Sequence, residues 1–267
     1  MSRITPTLEN LRLTGRKALI PFITAGDPNP SFTVPAMHAM VEAGADIIEL
    51  GVPFSDPMAD GPVIQRASER ALVHKMSLRK VLGIVKEFRQ TNDKTPVVLM
   101  GYLNPIEALG YRNFVEKARE AGVDGVLTVD LPPEESSDYL PLLDEAGIDP
   151  IFLLAPNSTQ ERIAKMGQLG RGYLYYVSLK GVTGASNLNL DDIEQKIKEI
   201  RQLTQLPIEV GFGVKNAETA AAVAKLGDGV VVGSALVGKI ESAGDDATLA
   251  LKEITALLGS MRSALDA

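Results

Sequence analysis

Cysteine is absent from this chain, and histidine occurs only twice in its 267 residues. Without cysteine there is no disulfide and no thiolate chemistry, which excludes a disulfide-stapled secreted scaffold. The two histidines, His38 and His74, fall in predicted helices, away from the strand ends where barrel sites are built. The sequence therefore predicts neither a histidine base nor a histidine-rich metal site.

Basic residues are outnumbered by acidic ones, 27 Lys and Arg against 34 Asp and Glu, which gives a net charge of −7. This balance argues against sequence-independent binding to nucleic acid, which needs basic patches. No apolar run approaches the ~18 residues of a membrane helix, and the N-terminus lacks the layout of a secretion signal. We therefore expect a cytoplasmic enzyme or binding protein.

A recurrent phrase runs through the chain, in which a helix ends, a glycine follows and a short apolar strand begins. It occurs at residues 42–51, 120–130, 145–155 and 225–233. A left-handed residue, which costs glycine nothing, is predicted where each helix stops, at Gly44, Gly122, Gly147 and Gly227. The strands are rich in Val, Ile and Leu without clean alternation, which is typical of parallel strands buried on both faces.

Eight strands are predicted, at about 18–24, 46–50, 96–101, 125–129, 149–154, 173–177, 207–210 and 229–232. Amphipathic helices are predicted at 78–90, 111–121, 134–146, 159–168, 191–203, 216–225 and 246–264. Eight βα units in a chain of this length favour one closed (β/α)8 TIM barrel over residues 1–267, with an extra N-terminal segment. An open doubly wound sheet is the competing architecture.

Acidic residues at the strand ends are the first candidates for chemistry, because barrel enzymes build their sites on the loops that follow the strands. Glu49 ends an otherwise apolar strand, and an apolar setting raises a carboxyl pKa toward the range useful for proton transfer. A salt-bridged structural glutamate is the alternative. Structural alternatives also exist for three aspartates, as a helix cap for Asp60, a turn residue for Asp56 and a cap or turn residue for Asp130.

Glycine-rich loops follow the last two predicted strands. Gly211 and Gly213 follow the seventh, and Gly233 and Ser234 follow the eighth. Backbone N–H groups in such loops, with a helix that begins at Ser234, predict a phosphate site, as is common in barrels. The alternative is that these glycines only make tight turns. Segment 180–184 is a further candidate for N–H donors.

Aromatic residues make up only 5% of the chain, yet several fall near strand ends. They are Phe22, Tyr102, Tyr175 and Phe212. Two interpretations stay open at this point: a flat apolar pocket for an aromatic ligand, or plain barrel core.

These stretches together resemble the tryptophan synthase alpha subunit family. The resemblance lies in segment 22–28, in segment 49–62 and in the glycine loops 181–184, 211–214 and 233–235. Segment 49–62, ELGVPFSDPMADGP, is highly specific, and the resemblance extends from about residue 15 to the end. It implies an eight-stranded barrel and a lyase that cleaves indole-3-glycerol phosphate to indole and glyceraldehyde 3-phosphate.

The resemblance also implies roles for single residues. Glu49 is the acid and base that moves a proton between the substrate hydroxyl and indole C3, and Asp60 accepts a hydrogen bond from the indole N–H. Tyr175 lies beside the reacting glycerol. The indole ring is walled by Phe22, Met100, Leu127 and Phe212. The phosphate is held by Gly184, Gly213, Gly233 and Ser234. Asp56 and Thr183 link loops 53–60 and 178–190 when the site closes over its substrate.

One position departs from the family pattern. Leu179 stands where the family often has Arg, and Lys180 follows it. This puts in doubt any loop-closing contact that needs a guanidinium, and it leaves both carboxylates untouched.

The partner that the resemblance implies is a pyridoxal-phosphate-dependent beta subunit, in an alpha2-beta2 tetramer. This chain itself is expected to need no cofactor and no metal. Loop 53–60 is expected at the interface, because it carries four apolar residues, Pro53, Phe54, Pro57 and Met58. The alternative is that these residues pack over the chain's own barrel mouth.

Two other functional interpretations stay open. A barrel with the same phosphate site and another substrate, such as indole-glycerol-phosphate synthase or an anthranilate-type isomerase, would want a strand-end lysine or cysteine. Cysteine is absent, and Lys180 is the only lysine in a loop that follows a strand. A chain that binds phosphate or a partner without catalysis is the third interpretation, and intact Glu49 and Asp60 speak against it.

Overall fold

The computed structural model describes residues 2–177, 190–211 and 213–267. Its strands are β1 (Ala18–Thr24), β2 (Ile48–Gly51), β3 (Val97–Gly101), β4 (Gly125–Thr128), β5 (Asp149–Leu154), β6 (Leu174–Val177), β7 (Ile208–Gly211) and β8 (Gly229–Val232). They pair in parallel in chain order, and β1 also pairs with β8, so the sheet closes on itself. The predicted TIM barrel is confirmed, and the open doubly wound sheet is wrong.

Helices surround this barrel. Those of the described residues are α1 (Ile4–Leu13), α2 (Pro30–Glu42), α3 (Pro62–Val73), α4 (Leu78–Phe88), α5 (Leu103–Leu109), α6 (Tyr111–Ala121), α7 (Leu140–Ala146), α8 (Gln160–Leu169), α9 (Leu190–Leu203), α10 (Ala217–Ala224), α11 (Ser234–Ala243) and α12 (Ala247–Leu265). A short 3₁₀ helix lies at Pro133–Glu135. None of these helices is long and apolar enough to span a bilayer.

The helix predicted at 134–146 is wrong in its first half. Only α7 and the short 3₁₀ helix form there. Ser136 ends the 3₁₀ helix, and its carbonyl accepts the Leu140 N–H at 2.9 Å, at the start of α7. The chain therefore turns before α7 begins.

Glycines end several helices as predicted, with one exception. Gly44, Gly122 and Gly147 have φ values of +102°, +85° and +68°. Gly227 does not adopt a positive φ, so the left-handed prediction is wrong there. A Cβ at Gly227 would lie 2.8 Å from Val210 Cγ2, which shows that this glycine permits a close approach to β7.

The apolar core has two main parts. The larger lies between the strands and the helices, and the smaller fills the barrel. Ile4, Leu8 and Leu11 of α1 belong to the smaller part, together with interior residues such as Leu127 and Tyr173. Ile4 also packs close to Gly125, the first residue of β4, so α1 closes the barrel at the N-terminal ends of its strands.

Candidate active site

β2 carries one carboxylate into the barrel interior. Glu49 is fully buried and pairs with Phe22 on β1 and Val98 on β3. Burial raises the pKa of Glu49 to about 7, and a hydrogen bond from Tyr173 opposes the rise. No cation contributes to this pKa, so a salt-bridged structural glutamate finds no support within the described residues. A carboxyl group that titrates near neutral pH can both give and take a proton.

Tyr173 is a site residue that the sequence analysis missed. It lies next to β6, opposite β2 in the eight-stranded ring, and its hydroxyl donates to Glu49 Oε1 at 2.6 Å. The second oxygen, Oε2, is buried with no partner among the described residues. A signal was available, because alternation along a strand places Tyr173 on the same inner face as Tyr175. The bond fixes one carboxylate oxygen and leaves the other for a ligand.

Asp60 lies at the end of loop 53–60. The capping alternative is wrong, because Gly61 occupies the N-cap position of α3 and no side chain caps that helix there. Instead, the Tyr102 hydroxyl donates to Asp60 Oδ2 at 3.1 Å. Burial raises the pKa of Asp60, and the bond from Tyr102 partly offsets this.

A small, partly open cavity lies beside Asp60 at the C-terminal ends of the strands. Phe22 and Met100, two of the expected wall residues, line it together with Ile64, Tyr102 and Val129. The Phe22 ring crosses β2 so closely that a Cβ on Gly51 would lie 2.6 Å from its Cζ. Leu127, a third expected wall residue, lies deeper, fully buried in the barrel interior. Its walls thus combine apolar side chains with the Asp60 carboxylate and the hydroxyl-bearing residues Thr24 and Ser68.

Tyr175 is close enough to both carboxylates for their charges to act on it. Burial first, and then the charges of Glu49 and Asp60, raise the pKa of Tyr175 well above its usual range. Its hydroxyl lies against β7, where a Cβ on Gly211 would be 2.1 Å away. Tyr175 therefore stays protonated, and a side chain at position 211 would displace it.

The glycine loop after β8 lies close to Phe22, one of the residues that line this cavity. α11 begins at Ser234, as predicted, with Gly233 at its N-cap, and Gly213 has a φ of +76°. A Cβ on Gly233 would lie 3.7 Å from Phe22. The positive end of α11 thus lies close to a residue of the cavity wall, and a helix N-terminus is a suitable place for an anion.

The other expected site residues have different outcomes. Thr183, Gly184 and Phe212 lie outside the described residues, as do Leu179 and Lys180. Asp56 is exposed and accepts a hydrogen bond from the Ser55 hydroxyl at 2.5 Å. Asp130 is also exposed and accepts from Leu103 N–H at 2.8 Å, so it caps α5 rather than the segment that follows it.

The apolar residues of loop 53–60 divide between the two interpretations. Pro53 is buried, and Phe54 stacks on Tyr102 with ring centroids 5.2 Å apart. Met58 is 78% exposed. Part of the loop therefore packs over the barrel mouth, while Met58 presents an apolar side chain to the outside.

A set of ion pairs that the sequence analysis missed connects α3, the helix after Asp60, to α11, the helix after β8. Arg70 of α3 binds buried Asp27 through two hydrogen bonds of 2.7 and 2.9 Å. The same guanidinium reaches Glu241 of α11 at 2.9 Å, and Arg66 binds Glu241 through two more. Because these bonds are bidentate, they fix α3 and α11 relative to each other.

A second buried carboxyl group lies lower in the barrel. Glu209 of β7 is fully buried, and neither of its oxygens has a partner among the described residues. It pairs with Gly229, which in turn pairs with Ala18 at the start of β1, whereas Glu49 pairs with Phe22 near the end of that strand. Burial raises the pKa of Glu209 well above its usual range, and the charges of Asp228 and Glu49 add to the rise.

Comparison with known proteins supplies the family context. A family model described as tryptophan synthase alpha chain matches residues 8–266. The chain is 68% identical to the tryptophan synthase alpha chain of Methylococcus capsulatus, and 59% identical to that of Thioalkalivibrio sulfidiphilus. Both alignments cover all of this chain and all of the relative.

Solved structures agree with these relatives. The crystal structure of tryptophan synthase subunit alpha from Legionella pneumophila superposes with a TM-score of 0.94 at 48% identity, covering 100% of this chain and 99% of that one. A chain of tryptophan synthase from M. tuberculosis, in an open form with BRD0059 bound, superposes with a TM-score of 0.88 at 35% identity, covering 99% of each chain.

Proposed function

Since the chain belongs to the tryptophan synthase alpha chain family, we propose that it is a lyase that reversibly cleaves indole-3-glycerol phosphate to indole and glyceraldehyde 3-phosphate. One observation supports this most directly: a buried carboxyl group with a pKa of about 7 lies on β2, paired with Phe22, and Phe22 lines a cavity that has a second carboxylate at its edge. This arrangement suits proton transfer to and from an aromatic substrate.

The reaction needs two proton movements and no change of oxidation state. A proton is added to indole C3, which leaves positive charge on the ring nitrogen. The glycerol hydroxyl next to C3 then loses its proton, its C–O bond becomes the aldehyde, and the electrons of the breaking C–C bond return to the ring. In our proposal Glu49 takes part in both movements through Oε2, the oxygen that Tyr173 leaves unoccupied.

Asp60 has the complementary role in this proposal. Its carboxylate accepts the indole N–H and stabilises the positive charge that develops on the ring. Its position on the wall of the cavity and its partial burial support that role, because a charge acts more strongly where water is scarce. Tyr175, which experiences both carboxylate charges, is proposed beside the reacting glycerol.

The phosphate is proposed to bind at the start of α11. Gly233 and Ser234 would offer backbone N–H groups, and Gly213 would bring a second loop to the anion. The proximity of Gly233 to Phe22, which lines the cavity proposed for the ring, supports an anion site at this point. Thr183 and Gly184 stay part of the proposal from the sequence, with Thr183 linking to Asp56 when the site closes.

A turnover assay tests the function directly. Purified chain is incubated with indole-3-glycerol phosphate, with and without a cognate beta chain, and indole and glyceraldehyde 3-phosphate are measured. We expect both products in equal amounts. A chain that binds the substrate but forms no product would be a non-catalytic relative, and conversion to another product would indicate a different barrel enzyme.

Tyr173→Phe is expected to move the alkaline limb of the pH profile of kcat/KM to higher pH, because Glu49 must carry its proton to begin the reaction at indole C3. The lost hydrogen bond favours the charged form of Glu49, so its removal raises the pKa of Glu49 further above about 7. A bond to a charged group is worth about 1.5–3 kcal/mol, which corresponds to a shift of roughly one unit or more. The measurement is kcat/KM between pH 5 and 9. An alkaline limb that stays in place would contradict this assignment of Tyr173.

We propose that the partner is a pyridoxal-phosphate-dependent beta subunit, bound in an alpha2-beta2 tetramer with loop 53–60 at the interface. Met58→Asp is expected to weaken that complex by about tenfold or more, because it would bury an unpaired charge. Leu13→Asp is a matched control, since Leu13 is 80% exposed and Met58 is 78% exposed. Ultracentrifugation with a cognate beta chain measures both. No complex with the unaltered chain would rule out the partner, and equal weakening by both variants would rule out the loop.

A further inference from the structure

Tyr102, which directly follows β3, contacts loop 53–60 at three points. Its hydroxyl accepts the Ala59 N–H at 3.0 Å and donates to Asp60 Oδ2 at 3.1 Å. The residue is only 3% exposed. Its ring stacks on the Phe54 ring with an interplanar angle of 27°. One side chain of the barrel rim therefore binds the loop through a donor, an acceptor and a ring.

The other polar contacts of this loop are local. Met58 N–H donates to the Asp56 carbonyl at 2.9 Å, and Asp60 N–H donates to the Pro57 carbonyl at 3.0 Å, so both bonds close turns within the loop. Gln65 Nε2, on the adjoining α3, donates to the Asp60 carbonyl at 2.8 Å. Among the described residues, Tyr102 is thus the side chain that ties the Asp60 carboxylate to the barrel.

We propose that Tyr102 is a positioning residue for the lyase reaction, which holds Asp60 Oδ2 and leaves Oδ1 to meet the indole N–H. The inference rests on the proposed function. A tyrosine hydroxyl has a single proton, and the Ala59 N–H already donates to its oxygen, so that proton is directed to Asp60. A carboxylate with one oxygen held in this way has less freedom to rotate, and a ligand that binds it loses less entropy.

Tyr102→Phe is the test variant, because it keeps the ring and its stacking on Phe54 and removes only the hydroxyl. We expect kcat/KM for indole-3-glycerol phosphate to fall about tenfold or more, the usual effect of losing a hydrogen bond to a charged group. The matched control is Tyr111→Phe, which removes a hydroxyl that donates to Glu107 at 3.0 Å on an exposed part of the chain. That variant is expected to stay within about twofold of the unaltered chain.

A double-mutant cycle separates positioning from general support of the fold. If Tyr102 acts through Asp60, then adding Tyr102→Phe to Asp60→Asn should cost less than about threefold more, since interacting residues are not additive. If the tenfold loss appears undiminished in the Asp60→Asn background, Tyr102 does not act through Asp60 and the proposal is overturned.

Two NMR measurements test the role of Tyr102 without measuring catalysis. In Tyr102→Phe the Asp60 carboxyl, followed by ¹³C titration, should titrate at higher pH, because it loses a donor to its charged form. The Ala59 amide should exchange with solvent at least about tenfold faster, because it loses its acceptor. If both are unchanged, the proposal is wrong. An unaltered chain that forms no indole would refute the proposed function instead, and the NMR results would still decide the role of Tyr102.

Discussion

Glu49→Gln is expected to lower kcat for cleavage of indole-3-glycerol phosphate by about 10³-fold or more, with the fold retained. A positioned general acid or base contributes about 10²–10⁴-fold, and here one group is proposed to serve in both proton movements. Glutamine has the same size and can still accept the Tyr173 hydroxyl, but it cannot exchange a proton near neutral pH. The chemistry should therefore fail while the packing around position 49 survives.

The barrel provides a matched control for this substitution. Glu209→Gln also replaces a fully buried glutamate on an inner strand face, at a level away from the cavity. We expect its kcat to stay within a few fold of the unaltered chain, because Glu209 is not among the residues that line the cavity and burial favours its neutral form, which glutamine resembles. Single-turnover measurements and circular dichroism on both variants test this. Cleavage by Glu49→Gln near the unaltered rate would refute the proton-transfer role.

Replacing Glu209 by Leu is expected to stabilise the protein most at alkaline pH. The folded-state pKa of Glu209 is raised by burial, so the folded chain keeps a proton that the unfolded chain loses above about pH 4.5. Stability is fully present below that pH and falls as pH rises toward the folded-state pKa, by about 1.4 kcal/mol per pH unit for one proton. Leucine removes both this dependence and an unpaired polar group, whose burial costs about 1–3 kcal/mol.

Urea unfolding between pH 5 and 9 measures this effect. Glu49 produces a similar slope only up to its own pKa of about 7, so above that pH the difference in slope between the unaltered chain and Glu209→Gln measures the contribution of Glu209. Glu209→Gln should lose the same slope there, while keeping the cost of an unpaired polar group. If the free energy of unfolding of Glu209→Gln falls with pH as steeply as that of the unaltered chain, Glu209 is not the group that titrates.

The fold followed from the sequence because each barrel unit repeats a local signal. Predicted strands at 18–24, 149–154 and 229–232 coincide with β1, β5 and β8. One error lies at 134–146, where the chain forms a 3₁₀ helix and turns at Ser136 before α7. The other lies at Gly227, which allows a close approach to β7 and does not adopt a positive φ. Those contacts are not visible in a local pattern.

The site residues could be predicted only where a residue stands out from its neighbours in the sequence. Glu49 stands out as a charge in an apolar strand, but Glu209 has the same pattern, and only strand register shows that the two lie at different levels of the barrel. Tyr173 meets Glu49 across the barrel from 124 positions away, and Tyr102 meets Asp60 from 42 positions away. Such contacts depend on how the barrel closes, which spacing along the chain does not record.

Because α1 closes the barrel at the N-terminal ends of its strands, it affects the acidity of the site. The pKa of Glu49 is high because water is kept from the barrel interior, and Ile4, Leu8 and Leu11 are part of the seal below it. This helix precedes the first strand and belongs to none of the eight βα units. The proton affinity at the centre of the enzyme is therefore set partly by a segment outside the repeat, and changes to the first dozen residues can alter the chemistry without touching any residue that meets the substrate.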